Sequence, residues 1–253
     1  MTLFQNFACK HTPYPLDLKE TKLTAVLEAA APLHGSPINC TELGAALGIS
    51  YHTAKKRMKI LESRGILRRL DPFDEDHRKK SPKSPKWYFR DTSLLLRCLG
   101  LENEPQLLGS PMRHKVLAGY CIERVIRLES LHDPDTRFFY CGGYAGANID
   151  LLMKKPDFAI GLIFRWHTVY RPRQWAVLKA AAKRGSIQRG FVVCGGDRSF
   201  FGCRNVLIIP ALQFIEYHPA LSDAGTKNYM LLRIMQHQNL ASIVLDQKGW
   251  IWD

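Results

Sequence analysis

The stretch from Thr41 to Leu70, TELGAALGISYHTAKKRMKILESRGILRRL, leaves the chain few ways to fold. Gly48 permits a tight turn between two helices. Ser50 supplies a short hydroxyl that caps the helix following the turn, and Gly65 stops that helix at its C-terminal end. Between them the apolar spacing predicts a buried stripe of Ala54, Met58 and Leu61, with Tyr51, His52, Thr53, Lys55, Lys56 and Lys59 facing outward. A short helix precedes the turn, capped by Asn39 or Thr41. A further helix is expected over residues 19–34, where Leu23, Val26, Leu27 and Ala30 share one face until Pro32 and Gly35 end it. After Gly65 come a strand, ILRRL, a polar loop from Asp71 to Lys86, and a second strand, WYFRD.

Charge narrows what such a segment would meet. The 253 residues carry a formal net charge of +13, and 46% are apolar, enough for a proper core. Between Tyr51 and Arg90 stand thirteen Lys/Arg against five Asp/Glu, a net of +8. A basic run is often only a solvated face, and an anionic membrane surface is another partner for one. Concentration of the excess in one segment favours nucleic acid, because each cation placed on a phosphate releases condensed counterions.

The order helix, helix, helix, strand, loop, strand resembles the winged helix-turn-helix family across about thirty residues. The resemblance rests on the small Ala of the second helix, the Gly48 turn, the Ser50 cap and the exit L-E-S-R-G-I-L. It implies that the third helix enters the major groove of double-stranded DNA by its N-terminal end. Ser50, Tyr51, His52 and Thr53 would then lie nearest the base edges, and Lys55, Lys56 and Lys59 would reach phosphates. The loop DHRKKSPKSPK resembles Ser-Pro-Lys arms that lie in A·T-rich minor grooves, which implies contacts from Arg78, Lys79, Lys80, Lys83 and Lys86. Its acidic half, Asp71, Asp74, Glu75 and Asp76, would stay clear of DNA. A winged helix used only for protein contacts is the competing reading.

The seven cysteines are scattered and form no C-x-x-C pair, which argues against a disulfide framework and a zinc ribbon. They read as small core residues in a reducing compartment. His114, His132, His167 and His218 lack zinc spacing. The N-terminus has no basic segment followed by an apolar one, and no apolar run approaches ~20 residues. A soluble, cytoplasmic protein without cofactor or metal is expected.

Past the second strand, residues 91–101 predict a short helix, 102–111 a polar link and 113–130 a strong helix. Val116, Leu117, Tyr120, Cys121, Val125 and Leu128 supply the apolar side of that helix. Strands are expected over 137–143, 148–154, 158–166, 190–195 and 205–211, with a helix over 171–185. This mixed α/β order, with D-T-S-L-L-L-R-C-L-G-L and an I-D hairpin, resembles the PD-(D/E)XK core found behind prokaryotic P-loop ATPases, from about Trp87 to about Ile215. No G-x-x-x-x-G-K-[ST] loop accompanies it. The active form of that core uses carboxylates to hold Mg²⁺ and a Lys to activate water. The resemblance places Glu123 and Asp150 at two acidic positions, but Ile163 and Arg165 stand where Glu and Lys belong. Metal-dependent cleavage is therefore expected to be lost. Two plainer readings compete: Asp150 ends a turn after Gly146 and Asn148, and Glu123 pairs on the solvent side with Arg127. Cys194-Gly195-Gly196-Asp197 reads as a strand-end turn rather than a nucleotide loop. The tail YMLLRIMQHQ predicts a helix, and SIVLDQKGWIWD a strand pair turned at Gln247-Lys248-Gly249, whose Trp250, Ile251 and Trp252 suit either core packing or a dimer contact.

The expectation is an α/β (α+β) protein of two domains, residues 1–90 and 91–253. It would be a sequence-specific, double-stranded DNA-binding regulator of a prokaryote or mobile element. The inactive nuclease-like domain would serve dimerisation or a protein partner. The alternative is a metal-dependent nuclease, or a nuclease-like subunit of a DNA-processing or defence complex.

Overall fold

The computed structural model describes residues 21–73, 84–142, 148–166, 175–211 and 213–214, and the backbone of 243–246 and 249–252. The fold is mixed α+β. It divides into two compact units, Met1–Pro72 with His77–Glu123, and Phe73–Asp76 with Arg124–Asp253. The boundary expected at 90/91 thus moves to 123/124, inside a helix. The chain beyond residue 90 continues to pack with the N-terminal elements, which a composition shift could not reveal.

In the first unit, α1 (Thr21–Ala30) buries Leu23, Val26, Leu27 and Ala30 on one face. Pro32 sits in a single 3₁₀ turn, Ala31–Leu33, and Gly35 at φ 72° swings the chain into β1 (Ser36–Pro37), a strand too short to read from sequence. Asn39, not Thr41, caps α2 (Cys40–Ala46), its Oδ1 accepting from the Thr41 N–H at 2.9 Å. α3 (Tyr51–Ser63) follows the Gly48 turn (φ 63°) and ends at Gly65. Ala54, Met58 and Leu61 are its buried stripe. The close partner of the turn is Gly44 rather than an alanine: a Cβ there would lie 2.7 Å from the Ile49 carbonyl oxygen.

β2 (Leu67–Leu70) and β3 (Lys86–Phe89) pair antiparallel, Leu67 opposite Phe89 and Leu70 opposite Lys86. With β1 they make a sheet of order β1-β3-β2. Asp91 caps α4 (Thr92–Cys98), accepting from the Ser93 and Leu94 N–H groups. The link expected over 102–111 is instead a helix, α5 (Glu104–Gly109), because Asn103 caps it and Pro105 fits its first turn. α6 (Arg113–His132) carries Val116, Leu117, Cys121 and Val125 into the core, while Tyr120 and Leu128 are half-buried.

His34 locks α6 to the sheet of the first unit. Its ring is buried, Nδ1 accepts from the Phe89 N–H at 3.0 Å, and its edge meets Tyr88. Nε2 occupies the place of an absent side chain: a Cβ on Gly119 of α6 would lie 2.0 Å from it. Burial lowers the His34 pKa to about 3, with the Lys115 backbone opposing the shift.

The second unit is built on a six-stranded mixed sheet of order β4-β5-β6-β7-β9-β8. β4 (Arg137–Cys141), β5 (Ile149–Lys154) and β6 (Ala159–Arg165) run antiparallel in turn. β7 (Arg189–Cys194) then lies parallel to β6, reached through α7 (Ala176–Lys183), which a parallel connection requires. β8 (Phe200–Cys203), absent from the expected strands, turns back against β9 (Val206–Pro210). Leu178 of α7 packs into a core with Leu152, Ile163, Val192 and Ile208. Residues 171–174, His167, Gly146 and the helix expected over 229–238 lie outside the described residues. The terminal strand pair is present as β10 (Ile243–Asp246) and β11 (Gly249–Trp252), with Gly249 opposite Asp246 inside the ladder rather than in the turn.

Candidate nucleic-acid interface

α3 presents the outward side chains. Ser50 caps it by accepting from the Thr53 N–H at 3.2 Å, and the Ser50 and Thr53 hydroxyls share a second hydrogen bond at 3.0 Å. Those two groups are engaged in starting the helix, so the exposed front of α3 narrows to Tyr51, His52, Lys55, Lys56 and Lys59. Tyr51 meets His52 edge to face at a centroid separation of 5.2 Å, and Lys55 Nζ sits 5.4 Å from the Tyr51 ring centre. Such contacts limit the rotamers of three side chains before any ligand arrives.

Tyr51, Lys55 and Lys59 also form one wall of a groove of about 610 Å³. The facing wall comes from Arg69 of β2 and from Ser84, two residues ahead of β3, and the lining includes Met58 and Trp87. Cys40 opens onto it, its thiol pKa raised by partial burial and held back by Lys55. Sequence reasoning missed Arg69, because L-R-R-L does not say which arginine faces where. Lys86 belongs to β3 and is half-buried rather than part of a projecting arm. Arg78, Lys79, Lys80 and Lys83 lie outside the described residues, as do Asp74, Glu75 and Asp76.

The two acidic positions implied by the nuclease resemblance are each satisfied within their own unit. Glu123 is buried and accepts from Arg68 through both Nε and a terminal nitrogen (2.9 Å to Oε1), and from Arg90 Nε at 2.7 Å. The solvent-side pair with Arg127 is thereby corrected: Glu123 points inward and holds the ends of β2 and β3. Asp150 accepts from the Phe164 N–H and from Arg165, each at 2.9 Å. Ile163 is fully buried in the sheet core. The donor set does not fit a Mg²⁺ ion, since a guanidinium already occupies each carboxylate and an aliphatic side chain fills the third position. Among the described residues no three His, Cys, Asp or Glu side chains are grouped to hold a metal. No described helix is long and apolar enough to cross a membrane.

Residues 15–105 match a family described as a domain of unknown function, DUF8612. An uncharacterized protein of Mycobacterium bovis and one of Mycobacterium tuberculosis are each 26% identical over 185 residues. The aligned region covers 73% of this chain and 41% of each relative, so the chain spans well under half their length. No solved structure matches.

Proposed function

We propose that this chain is a sequence-specific, double-stranded DNA-binding protein that acts as a cytoplasmic transcriptional regulator of a prokaryote or mobile element. One observation carries the reading: a helix capped at Ser50 after a glycine turn, with Lys55, Lys56 and Lys59 exposed along it beside an antiparallel strand pair. Three helices followed by that pair follow the element order of a winged helix-turn-helix, in which the third helix reads the major groove. His52 and Tyr51 reach base edges, and the lysines neutralise phosphates. The C-terminal unit serves dimerisation or a protein partner, because the positions equivalent to a nuclease site are filled by Asp150–Arg165 and Ile163.

The test is selection. Purified full-length chain is mixed with fragmented genomic DNA at physiological salt, and the retained fragments are sequenced. A motif shared by a few fragments is expected, and a palindrome would identify a dimer. Uniform recovery removes sequence specificity from the reading, and no recovery removes DNA.

A further inference from the structure

Arg68 and Arg69 are neighbours in β2 with different partners. Arg68 grips Glu123 through two nitrogens, and both side chains are largely withdrawn from water, at 23% and 11% exposure. Arg69 meets only one oxygen of Asp71, with its Nε at 2.9 Å and a terminal nitrogen at 2.8 Å. That pair is open to solvent, at 44% and 50% exposure. An exposed ion pair between residues two apart is screened and weakly held, whereas a partly buried, two-pronged one is not. The first arginine is committed to the fold and the second is available for exchange.

We infer that the groove between α3 and the β2–β3 sheet is a binding site for a DNA-backbone phosphate, and that Asp71 is the resident anion the phosphate displaces from Arg69. The inference rests on the DNA-binding reading and adds to it a contact on the opposite wall from α3. Three cations line the groove, Lys55 and Lys59 from the helix and Arg69 from the sheet, against Glu62 alone. Lys55 and Lys59 stand one turn apart and so face the same side of α3. The Ser84 side of the groove adds a hydroxyl, and Pro37, Ile38 and Pro85 give apolar surface for the sugars between phosphates. A phosphodiester offers the guanidinium fork two oxygens, where Asp71 presents one. Asp71 thereby sets the affinity: it weakens DNA binding by competing for Arg69, and it keeps the arginine oriented when no DNA is present. No bond is made or broken beyond these ionic contacts.

A double-mutant cycle tests this, using the full chain and a duplex retained in the genomic selection, with mixed-sequence duplex as comparison. Arg69→Ala is expected to weaken binding about tenfold and to flatten the dependence of log K on log salt by about one unit, as loss of one phosphate contact requires. Asp71→Asn is expected to tighten binding roughly three- to tenfold at low salt and less as salt rises. In the double variant the gain from Asp71→Asn should vanish. An equal gain in the Arg69→Ala background would mean simple long-range repulsion, and the inference would fall. It also falls if Arg69→Ala binds like the parent. Should Lys56→Ala, which does not line the groove, weaken binding while neither Arg69→Ala nor Asp71→Asn changes it, the DNA reading stands and this inference alone is lost. If the parent chain retains no duplex, both are lost.

Discussion

The α3 face and the β5–β6 corner use charged side chains to opposite ends. On α3, Lys55, Lys56 and Lys59 stand exposed, one of them resting against an aromatic ring. At β5–β6, Asp150 is turned inward onto the Arg165 guanidinium and the Phe164 amide, with Ile163 buried on the neighbouring strand. A count of charges does not distinguish the two places. What separates them is whether the counter-ion comes from the chain itself or from outside, and only the first region leaves that question open to a ligand. Glu123 follows the inward pattern within the N-terminal unit, where it holds two arginines of a sheet that would otherwise be as basic as α3.

The contrast can be broken by mutation. Glu123→Ala should have the largest effect, since it strands Arg68 and Arg90 without their carboxylate. A loss of about 2–4 kcal/mol of stability is expected, discounted for the partial exposure of Arg90. A melting curve identical to that of the parent would show the cluster to be idle. Acid acts through a different group, and over its whole window its effect rivals that loss. His34 is held neutral in the fold at a pKa near 3, against an ordinary value of 6.5, so the unfolded chain binds its proton first as the pH falls. Stability therefore drops between about pH 6.5 and 3, by up to roughly 1.4 kcal/mol per pH unit, and is fully present above that window. Denaturant titrations across the window should show a shallower slope for His34→Gln; an unchanged slope assigns the acid sensitivity to other groups.

Asp150→Ala should cost about 1–3 kcal/mol by taking the carboxylate from Arg165 and leaving the Phe164 N–H unpaired, and should leave duplex affinity untouched. A folded variant that no longer binds DNA would show that this corner contacts DNA after all. Lys55→Ala with Lys56→Ala should change stability least, within about 0.5 kcal/mol. Its signature is in binding: the salt slope should flatten by about two units across all duplex sequences. Unchanged affinity would remove α3 as the recognition helix.

The legible parts of this molecule were the ones written locally. Gly48, Ser50 and Gly65 mark the ends of α3 within a few residues of the helix they bound, and the Ala54–Met58–Leu61 stripe repeats at helical spacing. β6 and β9 show as continuous apolar runs because both of their faces are buried. What could not be read depends on partners distant in sequence. β1 is two residues that exist as a strand only because Trp87 and Lys86 lie opposite them. β8 is only four half-buried residues, Gly202 among them, so it is too short to show alternation. At the candidate site the hydroxyls of Ser50 and Thr53 were visible as polar groups, but not their mutual bond. The partners of Glu123 were hidden for the same reason: the arginine one helical turn on, Arg127, is not its partner, and the contacts come instead from Arg68 and Arg90.

The contact between His34 and Gly119 bears on how this chain can diverge. Any side chain at 119 collides with the imidazole, while a smaller residue at 34 leaves a hole beside α6 that only a larger residue at 119 could fill. The two positions are thus epistatic, and the order of change matters: a descendant that enlarges 119 first passes through an overpacked intermediate, whereas one that shrinks 34 first passes through a cavity. Relatives in which 119 is no longer glycine should carry a small residue at the position of His34, and chimaeras that exchange α6 alone between such lineages should misfold.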